Sequence, residues 1–373
     1  MIKRFDEIDV MRIIGFLMVV DQHILGAYAQ NPEAGFADSM VLHFLYLLGR
    51  PAVPMFVAIT GFTLFFANYE RLNIREFYKK RLVHIVMPYL FWSFASIVIF
   101  EKYYLLKDII LVIATGNASY HLWYMSMSIR IYLWFPMILA ILSKVLRKSK
   151  STQKLIFVLF FIAYWVIFKE KNYLTDKIAA IFFETPSLLE MRLIQYSPLF
   201  WSIYFVCGAA ACLNYECFKE KVLKHSGKIV AVYIPLVIYM YYTQVCSKLP
   251  EYFPRIDYDS LLYILYMILT IAVIYIASVK ISRKTERLRE RIRELGSLSY
   301  GAYLIHVPVL QLIAPILRRA VSIESYLVSG IIIFIITSVL SIALCYIIRF
   351  LPLSEYTIGV KRRPLKSMQV QTL

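Results

Sequence analysis

The chain of 373 residues is a succession of apolar blocks, most of them about twenty residues long, separated by short stretches rich in Lys and Arg. An α-helix rises 1.5 Å per residue, so a block of about 20 residues matches the thickness of a bilayer's hydrocarbon core. Backbone placed there must satisfy its own hydrogen bonds, which favours helices. Such blocks lie at 10–29, 40–66, 83–101, 121–143, 153–169, 195–214, 228–247, 259–280, 298–317 and 327–350. They predict an all-α polytopic membrane protein with about ten transmembrane helices. Residues 105–115 are apolar but too few to span, and are expected to form an interfacial or re-entrant piece.

Composition agrees. Apolar residues make up 60% of the chain, above the roughly 45–50% of a soluble domain. The net charge of +17 then has a membrane explanation before a nucleic-acid one, because Lys and Arg crowd cytoplasmic loops. With ten spans and both termini cytoplasmic, the inner segments hold 27 Lys and Arg and the outer loops 10. One more crossing at 105–115 would spoil that segregation. The block 284–294, with Arg287, Arg289, Arg291 and Arg293 among three glutamates, falls in an inner loop. Its strict alternation lines up no helical face, so it reads as a topology anchor touching lipid phosphates or an anionic cofactor, and no nucleic acid is expected. Five cysteines without a CxxC pair suggest neither a zinc site nor a disulfide framework.

No cleavage site follows the first apolar block, so it is read as a retained span. It carries Arg12 and, eleven residues on, His23. On a helix these are roughly 16 Å apart along the axis and about 20° apart around it, and so share one stripe. Each is costly in hydrocarbon, which turns that stripe toward a polar interior. Asp21, rotated about 200° from His23, is a poor partner for it. The second block contains Arg50 beside Pro51 and Pro54, predicting a kink that is tolerated only where protein or a wet cavity satisfies the freed backbone. Arg130 lies inside the fourth span, and His306 about halfway along the ninth. His121 opens the fourth span at the expected outer surface, where aromatic belts are ordinary. It is either an interfacial residue or part of the chemistry. His306 is either a packing histidine bonded to a carbonyl or a catalyst.

External loops 170–194 and 248–258 are too short for a domain with its own core, so any catalysis belongs to the membrane region. Imidazole can take a proton at neutral pH and suits the activation of a hydroxyl. Arginine holds phosphate or an oxyanion through its fork of donors. A basic inner end and a histidine toward the outer end suit an anionic donor from the cytoplasm and a hydroxyl acceptor from outside.

The chain resembles the acyltransferase-3 family of integral-membrane acyltransferases, which modify sugars of bacterial envelope and exported glycans. The resemblance rests on IDVMRIIGFLMVVDQH (8–23), AVPMFVAITGFTLF (52–65), FYKKRLVHIVMPYLFW (77–92), HLWYM (121–125) and LGSLSYGAYLIHVPV (295–309), in that order and spacing. It implies a single transmembrane acyltransferase domain over 1–350 with a short basic cytoplasmic tail at 351–373, in the cytoplasmic membrane of a bacterium. The implied reaction moves a short acyl group, most simply acetyl, from acyl-CoA to a hydroxyl of an outward-facing or lipid-linked saccharide. Acyl-CoA is then a donor substrate, with no tightly bound cofactor and no metal. The expected partners are acyl-CoA, the glycan, membrane lipids and glycan-synthesis machinery. Catalytic candidates are His23, Arg12, His121 and His306; donor-binding candidates are Arg12, Arg50, Arg81, His84 and Arg130. His84 stands where the family usually carries a second arginine. A polysaccharide exporter or small-molecule transporter is the alternative; inverted halves would favour it, and no repeat is evident.

The charge asymmetry predicts that cysteines placed in 71–80, 145–152 and 284–294 are shielded from an impermeant thiol reagent applied to intact cells, while cysteines in 172–190 react. Labelling of 284–294 from outside would reverse the orientation.

Overall fold

The computed structural model describes residues 4–100, 105–248, 260–320 and 324–363. Its helices are α1 (Asp6–Ala29), α2 (Phe36–Gly49), α3 (Ala52–Asn68), α4 (Ile74–Arg81), α5 (Met87–Ile99), α6 (Leu106–Thr115), α7 (Trp123–Leu146), α8 (Lys150–Lys169), α9 (Lys171–Phe182), α10 (Leu188–Gln195), α11 (Ser202–Leu213), α12 (Tyr215–Lys224), α13 (Ser226–Gln244), α14 (Leu261–Ser282), α15 (Glu286–Ala320), α16 (Tyr326–Ile348) and α17 (Ser354–Thr357). Among the described residues there is no strand. Among the described residues nine segments are long and apolar enough to cross a membrane, and α12 with α13, bent by 67°, makes a tenth if taken as one span. The expected loop 248–258 lies outside the described residues apart from Lys248.

Helix α1 is the central post, packed against α2, α3, α14, α15 and α16. Ion pairs tie one end of the bundle together. Arg293 of α15 holds Asp6 at 2.6 Å, Lys219 of α12 holds Glu7 at 2.6 Å, and Arg349 holds Glu294 at 2.6 Å. The chain after α16 returns to the same place, with Arg363 Nη1 3.4 Å from Glu294, so the two described ends of the chain meet at this basic end. At the other end, Asp38 of α2 accepts from Ser325 at 2.8 Å and Tyr326 donates to Glu33.

The basic block expected as a loop is helical. Residues 286–294 continue α15, a helix of 35 residues and so about 52 Å long. Its arginines are drawn into helix by pairing with acids: Arg293 with Asp6 and Glu286, and Arg289 with Glu286.

Three breaks shape the interior. Pro51 lacks the N–H that would bond the Leu47 carbonyl, and α2 stops at Gly49; Tyr266 of α14 donates to Leu47 O at 2.7 Å and Gln22 to Gly49 O at 2.9 Å. Pro88 opens the second gap, where residues Leu82–Val86 widen into a π-helical turn and Tyr300 donates to Ile85 O at 2.9 Å. The third is the short helix α6. It packs on α7 and α10 and ends at Gly116 in the left-handed region, φ 73°, where a side chain would also meet the Leu122 backbone. Tyr89, well inside the third span, donates to Ile113 O, and Ser126 to Ala114 O. The chain therefore turns inward at the end of this helix and buries Ala118, Ser119, His121 and Leu122, with Tyr120 left exposed.

Close packing of α3 on α11 uses two glycines facing carbonyls: Gly61 meets Phe205 O and Gly208 meets Ala58 O. Small residues at such crossings let helix backbones approach in lipid. Because a Cβ at either site strikes backbone, Gly208→Leu is expected to cost about 3 kcal/mol or more and to lower the melting temperature of the detergent-solubilised protein clearly, with Ala211→Leu, one helical turn on, as the milder comparison.

Candidate functional site

The turn after α6 delivers His121 into the bundle. It is 1% exposed, although its neighbour Tyr120 is 48% exposed. There His121 meets two histidines from other helices. Its ring centroid lies 4.9 Å from that of His306 on α15 and 6.5 Å from that of His23 on α1, and His23 stacks on His306 at 5.4 Å with 26° between the planes. Tyr120 sits edge-on to His23 at 4.9 Å. Three of the four catalytic candidates thus come together, from three separate parts of the chain.

Hydrogen bonds fix the ring states, because a carbonyl only accepts. His121 donates through Nε2 to Leu304 O at 3.3 Å and accepts at Nδ1 from Ser119 at 3.0 Å. Leu304 O is available because Pro308, four residues on, has no N–H. His121 is therefore satisfied at both nitrogens, and Tyr303 donates to its backbone carbonyl. His306 is fully buried and donates through Nδ1 to Tyr303 O at 2.5 Å. Its neutral form then carries the lone pair on Nε2, which is buried with no hydrogen-bond partner among the described residues. His23 is half-buried and lines a cavity of about 350 Å³ between α1, α15 and α16, with Ile24, Tyr28, Gln311 and Ile333 among its walls. Asp21, as its rotation predicts, faces away from the histidines and lies against Gly49 of α2.

Arg12 lies at the basic end. Asp9, 2% exposed, accepts from Arg12 Nη1 at 2.9 Å and from Arg4 Nε at 2.7 Å, while about a third of the Arg12 side chain (35%) stays exposed. Gly296 of α15 allows the close approach, since a Cβ there would stand 2.7 Å from that of Asp9. Arg81 lies over the rings of Phe77 and Tyr132 at 5.1 and 5.2 Å, and its Nε and His84 Nδ1 are buried without a hydrogen-bond partner among the described residues. Tyr124, Ser128 and Tyr132 fall at four-residue spacing on one face of α7. They run from beneath Arg81 toward the histidines, where Tyr124 packs on Tyr303 at 5.8 Å.

The other two arginines stand apart. Arg50 donates to Tyr46 at 2.8 Å and lies over that ring, beside the contact of Gly49 with Asp21 and Gln22. It is at the depth of His23, on the other side of α1. Arg130 gives its two terminal nitrogens to Leu193 O at 2.6 Å and Tyr196 O at 2.8 Å, where α10 ends. A cation at helix carbonyls is a favourable pairing. Sequence reading missed Asp9, Ser119 and Tyr303; Asp9 and Tyr303 each stand three residues before a candidate, a helical-turn spacing that was there to be read. Among the described residues, no group of three or more His, Cys, Asp or Glu is placed to hold a metal ion.

An all-α bundle with about ten crossings, a cationic end and three histidines gathered inside defines a polytopic membrane protein with an internal polar site. The chain belongs to the acyltransferase-3 family, whose profile, described as an acyltransferase domain, matches residues 5–350. It is a membrane acyltransferase. No curated protein and no solved structure gives a significant match to it.

Arg130→Lys keeps the charge but gives up the two-pronged grip on α10. A hydrogen bond from a charged donor is worth about 1.5–3 kcal/mol, so the expected loss is of that order, with faster amide exchange in 188–196 by mass spectrometry and little change elsewhere.

Proposed function

We propose that the protein transfers a short acyl group, acetyl in the simplest case, from cytoplasmic acyl-CoA to a hydroxyl of a saccharide on the outer side of a bacterial cytoplasmic membrane. Residues 1–350 are the catalytic domain and 351–373 a short basic tail. The observation that carries this reading is the meeting of His23, His121 and His306 at the far end of α1 from Arg12. The donor's phosphates stay at the basic end with Arg12, Arg81 and His84, and its thioester reaches along the α7 face toward the histidines. Glycan-synthesis machinery is the natural source of the acceptor.

The reaction joins the acceptor oxygen to the acyl carbon and breaks the carbon–sulfur bond. His23, the histidine that lines the open cavity, takes the hydroxyl proton as the attack proceeds and returns it to the departing thiolate, so ester and free thiol are formed with no net proton. His306, with its lone pair on Nε2, is the neighbour against which the His23 ring is held. His121 is the frame: both its nitrogens are used, and it fixes the turn that closes the site. Asp9 orients Arg12. Arg50, clasped by tyrosines at the depth of His23, adds positive potential for the developing oxyanion, and Arg130 supports the site through α10. Export of a polysaccharide is the reading that takes over if no donor is consumed.

Positioned proton transfer is worth about 10²–10⁴ in rate. His23→Gln is expected to lower transfer to native glycan by that factor at matched protein level, with acyl-CoA binding retained. Arg12→Lys should instead weaken acyl-CoA binding, the two-pronged grip being lost. Near-normal transfer by His23→Gln would put the base elsewhere.

A further inference from the structure

The cavity beside His23 is built for something other than sugar. Of its nine lining residues, only His23, Tyr28 and Gln311 are polar. A saccharide buried there would leave most of its hydroxyls without partners, at a cost of about 1–3 kcal/mol each on protein scales. The apolar walls are laid out along two helices at matching spacing: Ile24 and Ala27 on α1, and Leu310, Ala314 and Pro315 on α15. Ile333 of α16 closes the floor, buried at 3%.

The cavity is not sealed. Ala27, Gln311 and Pro315 at its border are exposed, and the same face of α15 continues into Leu312 (61% exposed) and Ile316 (64%). In a membrane-spanning helix that strip faces lipid, so the groove runs from the bilayer to His23. Its polar groups lie where a headgroup would arrive: the His23 ring, the Gln311 amide, and the Gln311 carbonyl that Pro315 leaves without its helical N–H. The basic end, where Arg12 sits, is on the other side of His23. A donor acyl chain calls for a closed pocket that measures length, whereas an open groove suits a chain that continues into lipid.

Resting on the acyl-transfer reading above, we infer that the acceptor enters sideways from the membrane, as a hydroxyl-bearing headgroup on an apolar anchor. The first carbons of that anchor lie between Ala27 and Ala314, and the hydroxyl is presented to His23. The groove thus selects lipid-linked over water-soluble saccharide. The new bond joins the headgroup oxygen to the acyl carbon, and the thiol leaves on the donor.

The test uses membranes holding the full-length protein, supplied with radiolabelled acetyl-CoA, or with propionyl- or succinyl-CoA if acetyl-CoA is not consumed. Products are partitioned between organic solvent and water over time. Label is expected first in a glycan that is extracted by organic solvent and released by mild acid. Ala314→Trp and Ala27→Trp, which fill the groove, should each lower that labelling at least tenfold with acyl-CoA binding unchanged. As a check independent of folding damage, a photoreactive phenylalanine analogue at the exposed position 27 should capture a glycan-bearing lipid, identified by mass spectrometry. Four results would overturn the inference: direct labelling of water-soluble glycan, wild-type rates in both Trp variants, a change in acyl-CoA preference instead of acceptor use, or capture of phospholipid alone. Consumption of no acyl-CoA by wild type would instead remove the parent reading, and the two failures are told apart by whether the donor is consumed.

Discussion

A polar backbone group inside a bilayer must find its partner within the protein, and this bundle depends on that constraint. Several departures from regular helix in its interior expose carbonyls that named side chains cover. Tyr266 and Gln22 cover the gap at Pro51, Tyr300 the π-turn before Pro88, and Tyr89 and Ser126 the end of α6. His121 takes the carbonyl left by Pro308, and Arg130 the carbonyls where α10 ends. An unsatisfied group in hydrocarbon costs several kcal/mol, so each break fixes the position of the side chain that answers it. The candidate site has grown out of these repairs. His121 and Tyr303 are placed by the need to close a broken backbone, and the open nitrogen of His306 is what remains after its other nitrogen is spent on Tyr303 O.

Most of the fold was legible from block length, because the thickness of hydrocarbon fixes how long a crossing helix must be. The stripe shared by Arg12 and His23, and the turning away of Asp21, followed from helical rotation alone. The gathering of His23 with His121 and His306 did not, since it depends on how the chain turns after α6. That turn is set by Gly116 and by two bonds from α5 and α7 to the last carbonyls of α6, and periodicity carries no such information. The helical state of 286–294 was missed for a different reason: strict alternation of charge lines up no face, yet its arginines find acids on α1 and on their own helix.

The start of α1 carries three acids, and the bundle spends all of them at its basic end. Asp6 goes to α15, Glu7 to α12, and Asp9 to Arg4 and Arg12. Acids in a first turn also complement the helix dipole. The pairs therefore anchor α1 against two other helices while leaving part of Arg12 facing out. Had Asp9 been absent, Arg12 would be a long, mobile cation; with it, the guanidinium is held in one direction and retains donors for a phosphate.

The distribution of charge along α1 also limits what chemistry its far end can perform. Ionised groups are expensive in hydrocarbon, and the arginines nearest the described acids are clustered where solvent and carboxylates reduce that cost. Near the cavity the groups are imidazole, phenol and amide, which can all be neutral. A reaction run there is favoured if it begins and ends without net charge. Acyl transfer from a thioester to a hydroxyl meets that condition: one proton leaves the oxygen, rests on an imidazole while the carbonyl is attacked, and goes to sulfur. In the reaction proposed above, the phosphates that make the donor an anion need never leave the arginines, and the only charge that forms in the interior is transient, between a ring and the oxyanion beside it.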